Sequence, residues 1–97
     1  MSADNGIYIL RTTNKDQPHE YRVAHLQAVE NYQWDDEKKD YTSDPDVQIK
    51  NASEMWAGCQ VLFNRTAALE WADKTMREVG YTEYGIQFIE IDRPFRK

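Results

Sequence analysis

The segment from Cys59 to Ile91 constrains the fold more than any other part of this 97-residue chain. At its centre, Ala68, Trp71, Ala72, Thr75, Met76 and Val79 recur at helical spacing and form one apolar stripe, which Leu69 widens. Arg65, Glu70, Asp73, Lys74, Arg77 and Glu78 fall opposite, and Glu70–Lys74 and Asp73–Arg77 are acid-first pairs one turn apart. Asn64 can cap the first turn and Gly80 can close the last, so the pattern predicts a helix over 65–79. Val61-Leu62-Phe63 precedes it, and the longer apolar run Tyr84–Ile91 follows. The local order is strand, helix, strand.

A helix with one apolar stripe needs a sheet to lie on. Ile7-Tyr8-Ile9-Leu10 is too short for a helix and apolar at every position, which suits a central strand. Tyr21–Leu26 reads as a strand that pairs with it antiparallel, across a polar loop holding Pro18. With the runs at 60–63 and 84–91, the expected fold is α+β: a single domain over 1–97, with a small, mostly antiparallel sheet of about four strands and one main helix, 65–79, packed on one face. Gln27–Trp34 fits neither period, and both strand and helix stand as readings. Asn51 or Ser53 could cap a short helical turn through Glu54-Met55-Trp56-Ala57, ended by Gly58.

Charge narrows the function. The chain carries 17 acids and 12 Lys and Arg residues, a formal charge of −5. A broad phosphate-contacting face needs clustered bases, so direct nucleic-acid binding is not expected. The imbalance is concentrated: Asp35, Asp36, Glu37, Asp40, Asp44 and Asp46 stand against Lys38 and Lys39 alone. This segment, with Pro45 and few aliphatic residues, predicts an exposed acidic loop at about 35–48. Trp34 and Tyr41 flank or sit in it, and aromatics beside acids suit a protein contact. An EF-hand loop started at Asp40 would need Gly at its sixth position and an acid at its twelfth, where the chain has Pro45 and Asn51, so no calcium site is expected.

No other metal or cofactor is expected. His19 and His25 share a strand parity but lie about 20 Å apart at the usual strand rise of ~3.3 Å per residue, too far to share an ion. The lone Cys59 can form no internal disulfide, and at a strand entrance it reads as an inert, buried thiol. Phosphate-loop, H-E-x-x-H and G-x-S-x-G patterns do not occur, so binding is expected rather than catalysis. No apolar run reaches membrane-span length, and Met1–Gly6 does not read as a signal peptide, which together predict a cytoplasmic protein without a membrane partner.

With Asp4–Leu10, Glu20–His25, Glu30-Asn31, Glu83–Ile89 and Arg93-Pro94-Phe95 in view, the chain resembles the small accessory proteins of tailed bacteriophages, over both ends and the middle. The resemblance implies a phage-encoded protein of the host cytoplasm that acts by binding, in the manner of anti-CRISPR and other defence inhibitors. The expected partner is then a host protein or protein–nucleic-acid complex with a basic surface, met by Trp34, Asp35, Asp36, Glu37, Asp40, Tyr41, Asp44 and Asp46. A second reading is a small-ligand or nucleotide pocket between sheet and helix built from Arg22, His25 and Tyr84, and a third is a virion or assembly accessory role. Phe95, after Pro94, is expected to pack back on the domain.

Overall fold

A computed structural model describes residues 5–27, 33–35, 38–42, 44–80 and 82–95. The central strand is β1 (Asn5–Thr12), flanked by β2 (Glu20–Gln27) on one side and β5 (Ile86–Ile91) on the other. Between β2 and β5 come the hairpin strands β3 (Gln33–Asp35) and β4 (Asp40–Thr42), then the helices α1 (Pro45–Met55) and α2 (Arg65–Val79).

β1 is central because Ile7, Tyr8, Ile9 and Leu10 are all buried, which requires a covered layer on both faces of the sheet. Ile7 and Ile9 join Tyr21, Val23, Ala68 and Ala72 beneath α2. Tyr8 and Leu10 join Ile49, Ala52, Trp56 and Ile91 beneath α1. The α+β class is as expected, and so is the antiparallel β1–β2 pair, which runs from Asn5 opposite Gln27 to Thr12 opposite Glu20.

Three expectations need correction. The sheet is mixed, not antiparallel throughout: β5 pairs with β1 in parallel, Ile7 opposite Ile86 through Thr12 opposite Ile91. The crossover through α2 brings the chain back in the same direction, as parallel pairing requires. The 60–63 run contributes a single antiparallel bridge, Leu62 to Tyr21, because Asn64 caps α2 two residues later. Among the described residues there are two helices, one on each face. Pro45 reads as a breaker inside a charged loop, but it occupies the first helical turn of α1, where its missing N–H costs nothing. Asp44 caps the helix by accepting the Asp46 N–H at 2.9 Å. Ile49, Ala52 and Trp56 then fall at helical spacing and turn α1 onto the sheet.

α2 has the predicted bounds. Asn64 Oδ1 accepts the N–H groups of Thr66 (2.7 Å) and Ala67 (3.2 Å), and Gly80, at φ 88°, donates its N–H to Met76 O. Its burial is narrower than its stripe: Ala68 and Ala72 are fully covered, whereas Trp71, Leu69 and Val79 are each about 40% exposed. Asp73 and Arg77 pair at 2.8 Å as expected, while Lys74 lies 5.6 Å from the ring of Trp71.

Candidate functional site

The described part of the acidic segment lies in two short strands and the start of α1 rather than in one loop. β3 and β4 pair antiparallel, with Gln33 opposite Thr42, Trp34 opposite Tyr41 and Asp35 opposite Asp40. Asp40 is exposed, and the chain passes from β4 to the α1 cap at Asp44 within a few residues. Cap geometry uses Asp44 structurally, and Asp46 then sits in the first helical turn, where a carboxylate complements the positive end of the helix dipole. Asp46 is 73% exposed and lies 3.8 Å from Arg93. The fold thus brings Trp34, Asp35, Asp40, Tyr41, Asp44 and Asp46 onto one hairpin and the helix start that follows it. Asp36 and Glu37 lie outside the described residues.

A like-charged pair directly across two antiparallel strands is unfavourable, typically by a few tenths of a kcal/mol up to about 1 kcal/mol. The register sets two acidic residues, Asp35 and Asp40, opposite one another in this hairpin. Lys39 adds a second local departure, with φ 55°, a region that L side chains adopt at a cost. Places where local chemistry works against the fold are where function is expected.

The residues of the small-ligand reading do not converge. Arg22 faces α1, stands opposite Leu10 and is 4% exposed. His25 is exposed on the α2 face, opposite Ile7. Tyr84 is 43% exposed before β5, where its N–H donates to Asn5 O at the other end of β1 from Thr12. Arg22 instead belongs to a buried polar assembly that this reading overlooks. Its Nη2 donates to Glu20 Oε1 at 2.8 Å, Thr12 Oγ1 lies 3.5 Å from Nη1, and the Phe95 ring stacks 3.7 Å from its Cζ. Phe95 does pack back, with the guanidinium as its seat. Glu20 could have been found from the sequence, since residues two apart share a strand face. Thr12 and Phe95 come from elsewhere in the chain and leave no such signal.

Cys59 is half-buried beside this assembly, and burial pushes its thiol above the ordinary value despite the opposing charge of Arg22. A thiol held neutral is a poor nucleophile and a poor ligand. On the α2 face at the same end of the sheet, Arg11 donates to Asp92 at 2.9 Å and lies 3.7 Å from Glu90, which also meets Arg65 at 3.4 Å. These arginines are matched by carboxylates, so this end is balanced rather than basic.

Among the described residues, no group of three or more His, Cys, Asp or Glu side chains is placed to hold a metal ion, and no helix is long and apolar enough to cross a membrane. Comparison with known proteins gives no match to a family model, to a curated protein or to a solved structure.

Proposed function

We propose that the chain is a binding protein whose contact surface is the acidic face formed by the β3–β4 hairpin and the start of α1. The observation that carries this reading is the register placing Asp35 opposite Asp40, immediately ahead of Asp44 and Asp46. Acids at paired positions of the hairpin, followed by two more at the start of the helix, gather negative charge on one stretch of backbone and suit a partner whose positive charge meets it. Trp34 and Tyr41, cross-strand neighbours between the acids, are the residue types that anchor such contacts. The resemblance to phage accessory proteins supplies the class of partner: a host factor with a basic groove, such as a nucleic-acid-handling defence complex, which the acidic face would occupy in place of nucleic acid. The protein then acts by occlusion and not by catalysis.

The test is affinity capture from nuclease-treated bacterial lysate, using the wild type and a variant carrying Asp35→Lys, Asp36→Lys, Glu37→Lys and Asp40→Lys. Asp44 is left intact because α1 depends on it. The wild type should retain a basic-surfaced protein, less of it as salt rises, and the variant should lose it with an unchanged circular dichroism spectrum. Retention of the same proteins by a folded variant would refute the acidic-face reading.

A further inference from the structure

Asp46, Ile49, Arg93 and Pro94 line an open groove of about 450 Å³ where α1 begins and β5 ends. That volume lies within the roughly 300–1,000 Å³ range of small-molecule sites. Its apolar part is Ile49, 3% exposed and set in the α1-face core, together with Pro94. Its polar part, among the described residues, is a pair of opposite charges. Asp46 Oδ1 and Arg93 Nη1 are 3.8 Å apart, which is attraction without a hydrogen bond. The side chains are 73% and 50% exposed, so the carboxylate's acceptors and the guanidinium's donors stay available to a third group.

Both backbones are fixed. Arg93 O accepts the Thr13 N–H at 3.2 Å, Asp46 N–H is held by the Asp44 cap, and Phe95 anchors the tail on Arg22. Side chains on anchored backbone lose less freedom when a ligand binds.

We propose that this groove binds a zwitterionic small molecule, an α-amino acid with an aliphatic side chain. Its carboxylate takes the Arg93 fork, a pairing favoured by matched planar geometry. Its ammonium takes Asp46, and its side chain lies on Ile49 and Pro94. This site does not depend on the acidic-face reading. Asp46 lies in both, but Arg93 lies outside the acidic face.

The experiment is a nuclear magnetic resonance titration of the ¹⁵N-labelled full chain with leucine, and with isocaproate and isoamylamine, which lack its ammonium and its carboxylate respectively. Leucine should shift the amides of Ile49 and Arg93 saturably, and each analogue should bind roughly tenfold more weakly. Arg93→Gln should abolish the preference for leucine over isoamylamine, and Asp46→Asn the preference over isocaproate, with the rest of the spectrum in place. Three results would overturn the proposal: no saturable shift with leucine, equal binding of leucine and isocaproate, or preferences unaltered by both substitutions. The Arg93→Gln chain should still capture its protein partner, so failure of one idea leaves the other standing.

Discussion

A guanidinium with only 5% of its side chain exposed needs a counter-charge and a flat neighbour, and Arg22 has them in Glu20 and Phe95. Removing one member of such a buried pair costs more than forming it gains, because the survivor is left uncompensated. The same assembly governs Cys59. Burial raises its thiol, and the nearby Arg22 opposes that effect only in part. Folding therefore favours the neutral thiol. This contribution is complete below the unfolded value, about 8.5, and is lost as pH rises through the higher folded value. Two outcomes follow from that sign. Iodoacetamide should modify Cys59 of the folded chain at pH 8 more slowly than in urea, as read by mass spectrometry. Stability should also fall on raising the pH above 9, by more than in a Cys59→Ala chain. Equal alkylation rates in the folded and unfolded chains would show the thiol to be unprotected.

At the level of elements, what could be read from the sequence depended on how local the deciding interaction is. α2 is complete in its own residues: a cap at Asn64, a stripe through Ala68 and Ala72, and a stop at Gly80. α1 carries similar signals, but Pro45 and the surrounding acids resemble a loop until Ile49, Ala52 and Trp56 are counted together. The direction of β5 is not written in its residues, because an apolar run looks the same parallel or antiparallel. The acidic residues were legible as a charged segment, whereas their pairing depends on a hairpin whose register no short motif announces. That register gives a test separating stability from binding. Asp35→Asn removes one charge of the Asp35–Asp40 cross-strand pair, and should stabilise the hairpin by roughly 0.2–1 kcal/mol. Hydrogen exchange at the amides of Trp34 and Tyr41 would show it as slower opening. The same substitution should weaken partner capture. A less stable hairpin, or stronger capture, would mean that the Asp35 charge supports the fold and is not held for a partner.

On the scale of the molecule, β1 belongs to two cores at once. Its odd-numbered residues Ile7 and Ile9 serve the α2 face, and its even-numbered residues Tyr8 and Leu10 serve the α1 face. The indole of Trp56, fully buried on the α1 side, donates to Tyr8 O at 3.2 Å, fastening that helix end directly to the shared strand. A strand shared in this way cannot lose one face and keep its position for the other, so the two cores should unfold together. Val23→Ala truncates a side chain buried on the α2 face, away from Trp56. In a Trp34→Phe/Trp71→Phe background, Trp56 is the only fluorophore of its kind. Urea titration there should show the Val23→Ala loss, about 1–3 kcal/mol for a buried aliphatic truncation, to the same extent by Trp56 fluorescence and by far-ultraviolet circular dichroism. Coincident transitions are the mark of one cooperative unit. If the Trp56 transition stayed in place while the dichroism midpoint fell, the two faces would be separate folding units, and β1 would only lie between them.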